Sequence, residues 1–286
     1  MGAIANKLRL VIPKGRIYEN VVELLSEAGI SLRVGERSYR PFVSDPSIDV
    51  KIMKPQNIPE LVALGSYDAG FTGYDWVVET QARVVEIMDL GLDPVEIVVA
   101  IPKNLKKGDL HKKRIIVASE YEKIARDFLK KEGYDHVFLR SYGATEVFPP
   151  EDADMIIDNT STGTTLREHD LEVTASILKS STRFIANEDA LNSKKGEKIE
   201  EMKMLFQAIL DARERVMLEM NVPKEKLEEI VGMLPSMRSP TVSSLYNEGY
   251  AIKVAVKKSE VQNLIPKLKK FGATDIVEYE LKKVVI

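Results

Sequence analysis

Residues 154–166 read Asp154-Met155-Ile156-Ile157-Asp158-Asn159-Thr160-Ser161-Thr162-Gly163-Thr164-Thr165-Leu166, a short apolar core between two acids followed by hydroxyls crowded around one glycine. Met155–Ile157 suits a strand buried on both faces, as parallel sheets require. Asn159, Thr160, Ser161, Thr162, Gly163, Thr164 and Thr165 make a tight loop, and Leu166–His169 opens a helix. Backbone N–H groups at such a helix start have no intrahelical partner and carry the positive end of the dipole, so they suit a phosphate monoester. Asp158, at the strand end, is placed to accept hydrogen bonds from sugar hydroxyls. Together these parts suggest a phosphorylated ribose. A plain turn with an N-cap would use the same residue types, because Ser and Thr also satisfy their own backbone.

Working outward, strand and helix patterns alternate. Leu8–Ile12 reads as a strand, Pro13–Arg16 as a loop, and Ile17–Ala28 as an amphipathic helix ended by Gly29. Asp49–Met53 and Ala69–Thr72 read as strands, with a helix at Ile58–Leu64 between them, and Val84–Leu90 and Val95–Ile101 add two apolar runs. This order predicts a mainly parallel α/β sheet covered on both faces. The charged stretch Lys103–Lys113 reads as a crossing to a second lobe or an exposed hairpin. The pattern then restarts, with strands at Arg114–Ala118 and Val137–Arg140, a helix at Tyr121–Glu132, and a strand at Glu172–Ile177 beyond the phosphate loop. Ser180–Ala186 is expected to return to the first lobe. A long helix follows at Ser193–Asp211, with Ile199, Met202, Leu205, Phe206 and Ile209 in one stripe.

From 212 onward the order becomes strand, helix, strand, strand, helix, strand: Val216–Met220, Pro223–Val231, Thr241–Leu245, Tyr250–Val256, Ser259–Phe271 with a Ser N-cap, and Thr274–Val285. That is the ferredoxin-like βαββαβ plan. The expected division is therefore residues 1–102 with 182–211 as lobe I, 103–181 as lobe II carrying the phosphate loop, and 212–286 as a separate module.

Composition narrows the chemistry. The 286 residues carry 41 Lys+Arg against 44 Asp+Glu, a formal net charge of -3, so nothing draws the chain as a whole to nucleic acid or to an anionic membrane. Cysteine is absent, which removes disulfides, thiolate chemistry and Cys-based zinc sites. The three histidines, His111, His136 and His169, are scattered, so a transition-metal site is not expected. Neither a secretory signal nor a membrane-spanning apolar run is present, and a cytoplasmic location is the expectation.

Further segments share the loop's character. Pro13-Lys14-Gly15-Arg16 sets two cations beside a glycine between strand and helix, although surface basic pairs are ordinarily solvated. Tyr67–Asp75 carries the glycines Gly70 and Gly73, which let a backbone approach a ligand closely. Ser141–Glu146 follows a predicted strand, where a lone glutamate is more often a helix-start charge.

The run Ile156-Ile157-Asp158 with Ser161–Leu166 resembles the phosphoribosyl pyrophosphate loop of the ATP phosphoribosyltransferases, although the strand ends in a single acid where many phosphoribosyltransferases carry adjacent ones. Leu10–Arg16 is similar to that family's opening signature, Lys51–Pro59 to its cleft segment with Lys54 for Arg and Asn57 for Asp, Tyr67–Asp75 to its D-x-G-x-x-G-x-D segment, and Ser141–Glu146 to its G-x-x-E segment. Leu234–Val242 resembles the L-P-G-x-x-S-P-T-V segment of the long-form members, with Ser236 in place of glycine.

The resemblance implies a two-lobed, periplasmic-binding-protein-like catalytic core with a C-terminal ferredoxin-like regulatory domain. It implies transfer of phosphoribose from phosphoribosyl pyrophosphate to N1 of ATP, the first step of histidine biosynthesis. Asp158 and Glu146 would hold the ribose and Thr160–Thr165, with Asn159, the 5-phosphate. Lys14, Arg16 and Lys54 would hold the polyphosphates, while Thr72, Gly73 and Tyr74 would line the cleft. Mg2+ is implied as cofactor, bound mostly through substrate oxygens and water. Feedback inhibition by histidine is implied for the C-terminal module, with Glu219, Asn221, Ser239 and Thr241 as its contacts, as is a homo-hexamer. Two other readings stay open on the residues alone: a non-catalytic two-lobed small-molecule sensor, and a phosphoribosyltransferase with another acceptor.

Overall fold

The computed structural model describes residues 7–33, 35, 39–235, 237 and 239–285. Ser236, on which the departure from the long-form segment rests, lies outside the described residues. In chain order the first strands are β1 (Leu8–Pro13), β2 (Leu32–Arg33), β3 (Phe42–Val43), β4 (Ile48–Met53), β5 (Ala69–Gly73), β6 (Val85–Asp89) and β7 (Val95–Pro102). They are followed by β8 (Ile115–Ser119), β9 (His136–Arg140), β10 (Met155–Thr160), β11 (Leu171–Ser180) and β12 (Thr182–Ala186).

Two five-stranded sheets result, ordered β4-β1-β5-β12-β6 and β11-β7-β10-β8-β9, with a small ribbon of β2 and β3. β10 is the central strand of the second sheet, and Met155, Ile156 and Ile157 are buried as the sequence predicts. The expected return also holds, since β12 pairs with β5 and β6 in the first sheet.

Two expectations change. β7 pairs with β10 and β11, so Val95–Pro102 belongs to the second sheet, and the chain crosses before Val95 rather than within Lys103–Lys113. Gly91 and Asp93, both at positive φ, turn the chain at this crossing. An apolar run carries no mark of which sheet it will join, so the sequence could not place β7. Nor are the sheets mainly parallel. β1 runs parallel to β4 and β5, and β8 to β9 and β10, but β12 and β7 are antiparallel to every neighbour they have. These are the two strands that enter their sheets across the crossings. The crossings run side by side: Leu90 N–H donates to the Thr182 carbonyl at 3.0 Å, and Thr182 N–H to that of Leu92 at 2.8 Å.

The helix Tyr74–Thr80 follows the first sheet in sequence, yet its Trp76 packs into the second sheet's core with Ile97, Val99, Val117 and Tyr121. The Trp76 and Tyr121 rings stack at 4.5 Å. Its Glu79 carboxylate accepts the Lys123 and Ile124 amides, both at 3.0 Å, supplying the cap that the helix Glu122–Glu132 lacks from its own N-cap residue.

The chain packs as two compact units that divide at Glu200/Glu201, inside the helix Lys195–Arg213, with Glu27–Gly29 joining the second unit. Ile199, Met202, Phe206 and Ile209 of its predicted stripe are buried. The second unit carries β13 (Arg215–Val222), β14 (Thr241–Ser244), β15 (Tyr250–Lys257) and β16 (Thr274–Glu280), in the antiparallel order β14-β15-β13-β16. With the helices Leu227–Met233 and Lys258–Lys270 this is the ferredoxin-like plan. The second helix starts one residue ahead of the predicted Ser N-cap, with Lys257 in that position, and ends before Gly272 at φ +99°.

Candidate active site

β10 ends as the sequence suggests, with Asp158 at the rim of the second sheet. Its carboxylate accepts the Asn159 backbone N–H at 2.7 Å and side-chain Nδ2–H at 3.2 Å, and the Thr145 hydroxyl also hydrogen-bonds to it. Burial pushes the Asp158 carboxyl up to about 6, against the pull of Thr145 and Asn159, and the nearby charges of Glu120 and Glu146 push it further up. Glu146 sits half-buried in the turn Thr145–Val147, entered through Ala144 in a left-handed conformation. The Asp158–Glu146 pair expected from sequence is therefore brought together. Glu120 is a third acid that the sequence reading missed, because it follows β8 with no motif around it.

The hydroxyl loop folds on itself. Thr160 Oγ1 accepts the Gly163 N–H at 2.9 Å, and the Thr162 and Thr164 hydroxyls lie 3.0 Å apart. Gly163 adopts φ +69°, which favours glycine. The helix Thr164–Glu168 follows, and its Arg167 donates to the Thr162 carbonyl at 3.0 Å and to Thr164 Oγ1 at 3.1 Å. Ser161, Thr162, Thr164, Thr165 and Asn159 are exposed, and Thr160 and Gly163 half-buried. Arg167 adds a cation that a hydroxyl count overlooks.

The loop lines a pocket of its own, where Thr160, Ser161, Thr162, Gly163 and Arg167 meet Glu96 and Lys179. A separate cleft of about 500 Å³ is lined by Lys54, Gln56, Asn57 and Glu60 from the first sheet's side, by Trp76 and Glu79, and by Glu120, Arg140, Ser141 and Tyr142. Lys54 is exposed at the start of the turn Pro55–Asn57. Lys14 and Arg16 are exposed beyond β1. The Lys14 ammonium stands 5.7 Å from the Tyr39 ring centre, and Arg16 donates to the Asp93 carbonyl at 3.2 Å. Thr72 is fully buried and donates its hydroxyl to the Pro55 carbonyl at 3.0 Å, so it steadies the turn that carries Lys54. Tyr74 is half-buried beneath the Arg183 guanidinium, 4.8 Å from its ring centre. Gly73 has a physical reason to be glycine: a Cβ there would lie 2.1 Å from Asp75 Oδ1.

In the second unit, Glu219, Lys253 and Thr241 are aligned across β13, β15 and β14. The Lys253 ammonium lies 3.3 Å from Glu219 Oε2, and Glu219 holds it above the usual lysine range. Tyr279 donates to the same oxygen at 3.4 Å. Ser239 is exposed shortly before β14. Asn221 is set apart, donating to Asp275 at 2.9 Å and lining a 420 Å³ pocket with Lys224 and Thr274. No group of three or more His, Cys, Asp or Glu side chains among the described residues is arranged to hold a metal ion. Among the same residues no helix is long and apolar enough to cross a membrane.

The family model described as HisG, ATP phosphoribosyltransferase, matches residues 54–208, and that of the HisG C-terminal domain matches 212–283. The chain is 42% identical to the ATP phosphoribosyltransferase of Pelotomaculum thermopropionicum, over 98% of this chain and 99% of that one. It is 42% identical to that of Thermodesulfovibrio yellowstonii, over 97% and 98%. In fold it resembles a chain of the ATP phosphoribosyl transferase (HisG:HisZ) complex from Thermotoga maritima, with a TM-score of 0.62, 24% identity, and coverage of 70% of this chain and 98% of that one. The chain belongs to the long-form ATP phosphoribosyltransferases, the transferases that take the first step of histidine biosynthesis.

Proposed function

We propose that the rim of β10, with the pocket its loop lines, and the cleft of Lys54, Glu120 and Arg140 hold the two substrates of the phosphoribosyl transfer, with the lobe division as read in the sequence except that β7 joins lobe II. The observation that carries this reading is the half-buried Asp158, flanked by Glu146 and Glu120, immediately before the glycine-centred hydroxyl loop. The exposed Asn159–Thr165 segment holds the 5-phosphate of phosphoribosyl pyrophosphate, and Asp158 with Glu146 accepts hydrogen bonds from the ribose. Lys14, Arg16 and Lys54 neutralise the polyphosphates. Gly73 and Tyr74 shape the cleft, and Thr72 acts from beneath through Pro55.

The bond from adenine N1 to C1 of the ribose forms as the bond from C1 to the pyrophosphate oxygen breaks. Such a displacement needs alignment and charge stabilisation more than a nucleophilic side chain. As positive charge builds at C1, the nearby carboxylates stabilise it more strongly than they stabilise the ground state, which is where binding energy becomes rate.

No three acids are arranged to cage a metal ion among the described residues, but Mg2+ keeps water and substrate oxygens as ligands and needs only one or two carboxylates, which Asp158 and Glu146 would supply. When bound, it neutralises charge on the departing pyrophosphate. Mixing the protein with ATP, phosphoribosyl pyrophosphate and Mg2+ should raise the ultraviolet absorbance of the adduct. Chelation by EDTA should stop that rise, and added Mg2+ should restore it.

Glu219 and Thr241, aligned through Lys253, are the proposed histidine contacts, with Ser239 and Asn221 nearer the edges of the module. Thr241→Ala should leave uninhibited turnover intact and weaken histidine inhibition; unchanged inhibition would exclude the residue. A homo-hexamer is the proposed assembly, to be measured by light scattering, and the cytoplasm the proposed location.

A further inference from the structure

Behind the candidate site lies a buried polar chain that neither the phosphate loop nor the cleft accounts for. Asp75, buried in the first turn of the helix Tyr74–Thr80, receives the Ser180 hydroxyl on Oδ1 at 2.5 Å and the Tyr121 hydroxyl on Oδ2 at 2.8 Å. Tyr121, itself buried, then accepts Asn159 Nδ2–H at 3.1 Å, and the same Nδ2 reaches Asp158 Oδ1 at 3.2 Å. The donor directions are fixed. Burial and the Asp75 carboxylate hold the Tyr121 phenol well above its usual range, so it keeps its proton. That proton is committed to Asp75, leaving only a lone pair for Asn159, which must therefore present its NH2 group.

We propose that Tyr121 is a positioning residue for the transfer reaction: with its hydroxyl anchored on Asp75, it fixes the Asn159 amide and, through it, the orientation of the Asp158 carboxylate. The inference rests on the reading of Asp158 as the ribose-facing acid. One Asp158 oxygen is occupied by the two Asn159 donors, which restricts how the carboxylate can rotate toward substrate. The chain also ties three separate parts of the first unit together: the helix after β5, the N-cap of the helix Glu122–Glu132 that follows β8, and the end of β10. Ser180 adds the last residue of β11, at the second crossing. Gly73 belongs to the same device, since only a residue without Cβ leaves room for Asp75 Oδ1.

Tyr121→Phe tests this, because the ring keeps its stack on Trp76 while the oxygen is lost. Trp76 is the only tryptophan of the chain, so its emission reports directly on that stack. Expected are an unshifted emission, KM values for both substrates within about twofold of wild type, and a kcat reduced by about tenfold, the scale of one hydrogen bond. Asn159→Leu should lower kcat by a similar factor, and the double variant no further, because both changes break one chain. A wild-type kcat in Tyr121→Phe, a loss confined to KM, or losses that multiply in the double variant would overturn the proposal. Should Tyr121→Phe fail to fold, Asn159→Leu decides alone: undiminished kcat, or a loss accompanied by a raised KM for phosphoribosyl pyrophosphate, overturns it, and a loss in kcat alone with native Trp76 emission upholds it. Asp158→Asn in the same assay separates the two levels, since full turnover there would remove the reading on which the inference rests.

Discussion

An acid that accepts hydrogen bonds from a sugar must be ionised, and burial works against that at Asp158. With its carboxyl pushed up to about 6, turnover should fall away on the acid side near pH 6 rather than near the ordinary value of 3.8. Glu120→Gln removes a like charge and should move that limb to lower pH in a rate profile. Stability should run the other way. The folded state binds this proton more tightly than the unfolded chain, so the contribution present below about pH 4 is lost as pH rises through 6. Asp158→Asn should therefore lower turnover by about 10- to 100-fold, the scale of a hydrogen bond to a charged group, while raising the thermal midpoint at pH 8. At this scale Asp158 and the hydroxyl loop could be singled out from local chemistry, whereas Glu146 was singled out only through the family resemblance. Glu120, Tyr121 and Arg167 stayed hidden because each matters only through residues that the fold brings to it.

Among the elements, the turn after β5 has little tolerance. Gly73→Ala would drive Cβ into the Asp75 carboxylate, and overpacking of this kind costs about 1–3 kcal/mol. A lower urea midpoint is expected, together with a loss of turnover if Asp75 is displaced; an unchanged midpoint would show that the carboxylate can move aside without cost. Apart from the two-residue β2 and β3, which the sequence reading did not mark, strand existence was legible, since apolar runs and glycine stops mark strands whichever way they pair. Sheet membership and direction were not. β7 and β12 look like their neighbours in sequence, but each enters a sheet from the opposite end, which only the path of the chain determines. The helix Tyr74–Thr80 likewise gives no sign in its residues that Trp76 will seat in the second sheet's core.

For the molecule as a whole, the C-terminal βαββαβ order was readable because every strand there pairs within one short stretch of chain. The catalytic core is less local, and this bears on how it is made. β12 lies between β5 and β6, yet it is synthesised after all of β7 to β11. On the ribosome, β5 and β6 must therefore wait, each with an unsatisfied edge, while the whole second sheet is translated, and such edges invite mispairing. Nascent chains arrested when Ser180 but not Ala186 has cleared the exit tunnel should be cut readily by protease within residues 8–89 and protected within 115–160, and protection of the former should appear only once Ala186 has cleared it too.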